Sequence, residues 1–219
     1  MKNILIIGTN SFVATNLNIF LKKFYKVKKI DLSRINNIKL SKYDCLINCS
    51  IQKKYILENY KIKNDIDYFI ANKIKNLNIK FIFISTRKVY RPKANIKETD
   101  EKIPFSNYGK NKRSTEKRLK KILGKNLLIL RTSNIIGLKK KIKHRKVHHT
   151  FIDIFIENIK NGFVYDNENN FKDFITINQF SEAIKKSIKQ NLHGTYNLSM
   201  GRKIYLKDII SWLLVYNKK

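Results

Sequence analysis

NILIIGTNSFVATNLNIFLKKF, Asn3–Phe24, carries two periodicities in succession. Ile4, Leu5, Ile6 and Ile7 make a continuous apolar run of strand length, the pattern of a strand covered on both faces. From Phe12 onward the apolar residues Phe12, Val13, Leu17, Phe20, Leu21 and Phe24 recur at helical spacing. Gly8-Thr9-Asn10-Ser11 between them leaves room for a tight turn only. In a strand, turn, helix arrangement the first N–H groups of the helix lack intrahelical partners and the helix dipole is positive there. The turn is therefore a natural seat for an anion.

The alternation continues downstream. Val27 to Ile30 reads as a short strand ending at Asp31, and Cys45 to Cys49 as a third, nearly all apolar. Lys53 to Leu77 reads as one long Lys-rich helical stretch. KFIFIST (Lys80 to Thr86) is another buried strand, a helix carrying Tyr108 runs to Leu123, and LLILRTS (Leu127 to Ser133) is a further strand. This predicts an α/β protein with a doubly wound parallel sheet, Rossmann-like, over residues 1–137. About a dozen residues separate Asp31 from Asp44, too few for another strand and helix.

After Gly137 the pattern changes. LKKKIKHRKVHH is a basic loop and FIDIFIENIKNG a helix. FVYDNENNFKDFITI reads as two short strands around an Asn-rich turn. Helix FSEAIKKSI, strand GTYNLS and helix LKDIISWLLVY follow, with Trp212 expected to pack on the core. Residues 138–219 are expected to form a small, truncated substrate lobe resting on the first unit, not an independent domain.

The chain has 219 residues and a net charge of +31, from 47 Lys and Arg against 16 Asp and Glu. Lysines are scattered along its whole length on solvated helix faces, with Asn and Ile also abundant, the residue set of A/T-rich codons. A nucleic-acid binder concentrates its cations on one element, interleaved with aromatics. No specific nucleic-acid partner is therefore expected, although the field attracts anionic small molecules. Cys45 and Cys49 sit in one apolar run without metal-ligand spacing and read as reduced thiols, which suits a cytoplasmic protein. No leader is evident, and no run nears the ~20 apolar residues of a membrane span. His144, His148 and His149 stand among lysines with no carboxylate beside them, so no metal site is expected.

The first turn, with Gly8, Asn10, Ser11, Phe12 and Val13, is placed to hold the pyrophosphate of a dinucleotide. Asp31, about twenty residues on, is placed to bond the adenosine ribose. Its charge repels a 2′-phosphate, which favours NAD, while Ser33 and Arg34 leave NADP open. The glycine pattern G-x-x-G-x-x-G reads Gly8, Ser11, Ala14 here. Ser11 departs from it by placing a side chain beside the pyrophosphate.

Tyr108 and Lys112 form Y-x-x-x-K, a spacing that puts both on one helix face. A phenol, with an ordinary pKa near ~10, becomes a base at neutral pH only when positive charge stabilises the phenolate. A neighbouring ammonium and an oxidised nicotinamide ring supply such charge. A hydroxyl at Thr86 would hold the substrate alcohol against the phenol.

Five ordered motifs carry a wider likeness. Ser85-Thr86 with Val89-Tyr90, then KETD (Lys97 to Asp100), then Tyr108-Gly109 with Lys112, then Arg131, Asn134 and Gly137, then Lys172-Asp173-Phe174 stand in order. The chain thereby resembles the extended short-chain dehydrogenases/reductases, and among them the nucleotide-sugar epimerases, dehydratases and reductases. Asn111 replaces a serine of that pattern and Lys172 an arginine. The resemblance implies a nucleotide-sugar substrate, with Thr86, Tyr108 and Lys112 as the catalytic set. It implies that Asn48, Cys49 and Ser50 line the cofactor together with Tyr108 and Lys112. Thr86, Arg87, Asn134 and Asp173 would face the substrate. Arg87-Lys88 stands where the dehydratases carry Asp-Glu, so water elimination lacks its proton donor. Epimerisation and ketone reduction are the reactions expected. A noncatalytic member that binds a dinucleotide or nucleotide sugar is the alternative. Relatives pair through the Tyr-bearing helix, which is crowded here with Lys and Arg, so a homodimer is left open.

Overall fold

The computed structural model describes residues 1–137, 151–163 and 170–216. Six parallel strands form the main sheet: β1 (Asn3–Ile7), β2 (Lys26–Ile30), β3 (Cys45–Asn48), β4 (Lys80–Thr86), β5 (Leu127–Thr132) and, after three short strands outside it, β9 (Gly194–Leu198). The spatial order is β2-β1-β3-β4-β5-β9. From β1 the chain pairs first on one side with β2, then crosses back to pair β3 on the other. That reversal opens a crevice at the C-terminal ends of β1 and β3, the place where open α/β sheets bind ligands.

Alternation along each strand divides the core in two. Ile4 and Ile6 of β1 pack with Leu17 and Leu21 of helix α1 (Phe12–Leu21) and with Phe180, Ile184 and Ile188 of helix α6 (Ile177–Lys189). Leu5 and Ile7 face the other way, onto Ile70 and Ile74 of helix α3 (Ile66–Ile74) and toward Leu119 and Leu123 of helix α4 (Asn107–Leu123). The sheet is thus doubly wound, as the sequence predicts. Between β2 and β3 the chain makes only two 3₁₀ turns, Leu32–Asn37 and Leu40–Lys42. β2 is accordingly the edge, and its exposed Lys26 and Lys28 discourage further strand pairing.

The expected long helix from Lys53 is broken. Helix α2 (Lys53–Leu57) ends, a 3₁₀ turn covers Ile62–Asn64, and α3 begins afresh. Asp65 starts α3 by accepting the N–H of Tyr68 at 3.0 Å. The Asn111 amide donates to the carbonyls of Tyr55 and Glu58, both at 2.8 Å, and so ties off the end of α2.

In the C-terminal third, β6 (Asn134–Ile136) pairs in parallel with β8 (Phe174–Thr176), and β7 (Phe171–Lys172) pairs antiparallel with β10 (Ile204–Tyr205). Helices α5 (Phe151–Lys160) and α7 (Leu206–Tyr216) complete it. Phe155, Phe174, Leu206 and Ile209 form a third small core. Trp212 does not join it. It is 60% exposed, because Leu206 and Ile209 define the buried face of α7 and Trp212 falls outside it. The chain then shares its main sheet with this segment: β9 pairs with β5, and α6 covers α1. The basic loop with His144, His148 and His149, and residues 164–169, lie outside the described residues. No helix among the described residues is long and apolar enough to cross a membrane.

Candidate active site

Gly8 ends β1 with φ +117°, a conformation that L side chains rarely adopt. A Cβ there would also lie 2.9 Å from Ser50 Oγ and 3.0 Å from the Cys49 carbonyl carbon. Glycine is what lets the turn settle against the end of β3. Ser11 has ordinary extended dihedrals and needs no glycine. Its Oγ caps α1 by accepting the N–H of Ala14 at 3.3 Å. The missing second glycine is thus a helix cap, and the N–H groups of Phe12 and Val13, without intrahelical partners, remain at the turn. Asn10 is exposed at its tip.

Asp31 stands at the end of β2, across the turn. One carboxylate oxygen accepts Thr9 Oγ1 at 3.0 Å; the other accepts the N–H and hydroxyl of Ser33 at 3.1 and 3.0 Å. Lys29 Nζ donates to the Thr9 carbonyl at 3.3 Å and to Thr15 Oγ1 at 3.4 Å, placing a cation beneath the same turn. Sequence reasoning missed Thr9 and Lys29. The crevice therefore holds a glycine turn, a helix N-terminus, a cation and a fixed carboxylate. That donor set fits the pyrophosphate and adenosine ribose of a dinucleotide.

Asn48 is 4% exposed at the end of β3. Its amide donates to the Ser50 carbonyl at 3.1 Å and to Asp67 Oδ1 at 2.8 Å, while its own oxygen accepts the Ser50 N–H at 3.0 Å. Cys49 fixes the strand end through its N–H to the Ile7 carbonyl at 2.8 Å. Burial pushes the thiols of Cys45 and Cys49 up to about 12, which leaves them unreactive.

The strand β4 delivers Thr86, 8% exposed, at its last position. Its hydroxyl accepts the Lys88 N–H at 3.2 Å and starts the 3₁₀ turn Arg87–Val89. That turn packs on the first turn of α4, which carries Tyr108. Gly109 makes the contact possible, since a Cβ there would lie 2.2 Å from the Lys88 carbonyl oxygen. Gly109→Ala must push backbone from backbone. It is expected to cost about 1–3 kcal/mol, as overpacking does, and to displace Tyr108. Thermal denaturation beside a turnover assay checks both; an unchanged melting temperature would refute the contact.

Lys112, one turn along α4, is buried. Its Nζ lies 3.4 Å from Asp67 Oδ2, 4.4 Å from the Phe83 ring centroid and 6.0 Å from that of Tyr108. Burial pulls the ammonium down, but Asp67, Tyr108 and Asp65 outweigh it and hold Lys112 above its ordinary value. Asp67 was not anticipated. It joins Asn48, at the end of β3, to Lys112 on α4. Its place on the apolar face shared with Ala71 and Ile74, in a chain so poor in acids, was the available sign.

In the C-terminal segment, Asn134 Nδ2 donates to the Asp173 carbonyl at 3.1 Å and joins β6 to the start of β8. The Asp173 carboxylate accepts the N–H groups of Met200 and Gly201 at 3.1 and 3.0 Å. Arg87, Asp173 and Ser133 line one cleft of about 170 Å³. Its wall includes part of a network that sequence reasoning also missed. Arg131 and Glu116 pair at 2.6 Å, Ser85 Oγ donates to Glu116 at 2.6 Å, and Tyr90 joins Arg131 to Asn197.

The family model described as NAD dependent epimerase/dehydratase family matches residues 4–199. No curated protein matches the chain by sequence. Among solved structures, a UDP-N-acetylglucosamine 4-epimerase from Methanobrevibacter ruminantium, in complex with UDP-N-acetylmuramic acid, is similar. It is 21% identical with a TM-score of 0.76, over 100% of this chain and 83% of that one. A dTDP-glucose 4,6-dehydratase from Bacillus anthracis, in complex with NAD, is 16% identical with a TM-score of 0.77, over 100% and 82%. A dTDP-4-dehydrorhamnose reductase from the same organism, in complex with NADP, is 18% identical with a TM-score of 0.76, over 99% and 81%. With the family pattern spanning both the glycine crevice and the Tyr108 helix, this chain belongs to the NAD dependent epimerase/dehydratase family.

Proposed function

We propose that the protein is a cytoplasmic NAD(H)-dependent enzyme that oxidises or reduces a carbinol or ketone carbon of a nucleotide-linked sugar, as an epimerase or a ketone reductase. The observation that carries this reading is the placement of Tyr108 and Lys112 on one face of α4, docked by Gly109 on the turn after Thr86. Gly8 and Asp31 stand at the switch-point crevice of the same sheet.

In this reading Thr86 holds the sugar hydroxyl and Tyr108 takes or gives its proton. Lys112 sets the charge beside the phenol, and Asp67 sets the position of Lys112. Gly8, Phe12 and Val13 present backbone to the pyrophosphate, while Asp31 takes the ribose. The nicotinamide, when bound, accepts or returns the hydride. Arg87 and Lys88 supply no acid for water elimination, which separates this site from a dehydratase.

Calorimetric titration with the four nicotinamide dinucleotides tests the cofactor half. NADH is expected to bind in the micromolar range and NADPH about tenfold more weakly, a difference of about 1.4 kcal/mol, because Asp31 repels the 2′-phosphate. Binding of none of the four would refute the reading. Turnover of a nucleotide sugar tests the other half. Tight binding with no turnover of any candidate sugar would favour a noncatalytic member.

A further inference from the structure

Helix α4 gathers on its outer face the cations that the sequence scatters. Lys110, Lys117, Lys120 and Lys121 are exposed, and Arg113 and Arg118 partly so. The one acidic residue of the helix, Glu116, is 3% exposed and committed to Arg131. Lys110, Lys117 and Lys121 fall on one line along the helix, about 16 Å from end to end at about 1.5 Å per residue. Arg113 and Lys120 flank that line on one side and Arg118 on the other. Neighbours three and four apart within the face, such as Arg113 with Lys117 and Lys117 with Lys121, are all like-charged, and each such pair destabilises the helix. Elsewhere the chain offsets its lysines with acids. Lys185 of α6 pairs with Glu182 at 2.6 Å, and Lys61 with Glu58 at 3.0 Å.

The crowding extends beyond the helix. The Lys102 carbonyl, in the loop ahead of α4, accepts from Arg113. Burial, then Arg131, then Lys120 pull the Lys102 ammonium below its ordinary value. Arg118 is held in place, its guanidinium stacked 5.2 Å from the ring centroid of Tyr60 and 5.5 Å from that of Tyr68. A face that carries this much self-repulsion fits a partner that removes it, a polyanion. A second copy of the chain does not, because a two-fold contact sets the patch against itself, cation on cation. An anionic membrane does not either. A surface-lying helix sinks its apolar face into the lipid, and that of α4, with Leu119 and Leu123, is buried in the core.

We propose that the outer face of α4 binds the phosphate backbone of duplex nucleic acid without reading its sequence. A duplex is favoured over a single strand because Tyr60 and Tyr68, the rings that meet this face, are partly buried and covered by Arg118, so they give stacked bases no platform. Recognition then falls to charge, and a duplex carries the denser line of phosphates. Neither the Tyr108 hydroxyl nor the glycine crevice takes part, so this binding is independent of the function proposed above.

Fluorescence anisotropy of the full chain with two short DNA duplexes of unrelated sequence, over a range of salt, tests this. Both duplexes are expected to bind alike, with log affinity falling by about 0.9 per log unit of salt for each phosphate neutralised. Lys110→Gln, Lys117→Gln and Lys121→Gln together should flatten that slope by about 2.7 and weaken binding about 100-fold at about 0.15 M salt. Lys22→Gln, Lys23→Gln and Lys207→Gln together remove the same charge from exposed positions on other elements and should leave the slope nearly unchanged. Circular dichroism of both triple variants keeps a folding defect out of the comparison. An equal loss in the second variant overturns the proposal, by assigning the binding to the net charge of the whole chain. Absence of binding at about 0.15 M salt overturns it, as does tighter binding to a single strand or to vesicles of anionic lipid than to the duplex. A free protein that sediments as a dimer and dissociates on the α4 substitutions gives the face to a second copy and overturns it too.

Discussion

Tyr108→Phe is expected to lower turnover of the nucleotide sugar by about 10²–10⁴-fold, the range that a positioned acid–base group contributes, with NADH affinity retained. The substitution is narrow. Tyr108 is partly buried in the first turn of α4, and its ring lies 5.9 Å from Lys88 Nζ and 6.0 Å from Lys112 Nζ. Phenylalanine keeps the ring, the helix and these cation–ring contacts and removes only the hydroxyl. A fall in single-turnover hydride transfer with unchanged melting temperature and unchanged NADH titration assigns the hydroxyl to chemistry. Activity close to that of the unsubstituted protein would take the proton-transfer role away from Tyr108 and with it the reaction proposed here.

How much of this was legible before the structure follows from the length scale of each signal. Strand and helix periods are local, so the alternating β and α elements of the first 137 residues were readable, as was the short connection between Asp31 and Asp44. The break between α2 and α3 was not. There the Asn111 amide reaches back more than fifty residues to the carbonyls of Tyr55 and Glu58, a partner that local periodicity does not reveal. Ser11 looked like damage to a phosphate turn because the pattern records residue type and not φ; with extended dihedrals it is a cap. Asp67 and Glu116 escaped notice for a related reason. A carboxylate acquires meaning from the cation it meets, and Lys112 and Arg131 are respectively 45 and 15 residues distant in sequence. The spacing of Lys112, Glu116, Leu119 and Leu123 along one face of α4 does announce that Glu116 is buried, although not its partner.

That partner makes Glu116→Ala the substitution with the largest expected effect on stability. Side chains of Arg131 and Glu116 are only 3% and 4% exposed, and the pair closes at 2.6 Å. Burial pulls the guanidinium down, while the hydrogen bonds and charge of Glu116 outweigh it and hold Arg131 above its ordinary value. Alanine would strand Arg131 in the sheet and leave Ser85 Oγ without its acceptor. Breaking a buried pair from one side costs about 3–5 kcal/mol. At about 2–4 °C per kcal/mol for a domain of this size, the melting temperature should fall by about 6–20 °C. Replacing both partners together, Glu116→Leu with Arg131→Met, is expected to recover most of the loss, because no charge is then left buried. A single substitution costing under about 1 kcal/mol would place the pair among weak surface bridges and contradict its burial. Under the proposed function the pair also bears on turnover. Glu116 joins α4 to β5 through Arg131 and to β4 through Ser85, one residue before Thr86. The same carboxylate therefore fixes the helix of Tyr108 and Lys112 against the strand of Thr86. Turnover in Glu116→Ala should consequently fall even at temperatures where the protein stays folded, which a loss of global stability alone would not produce.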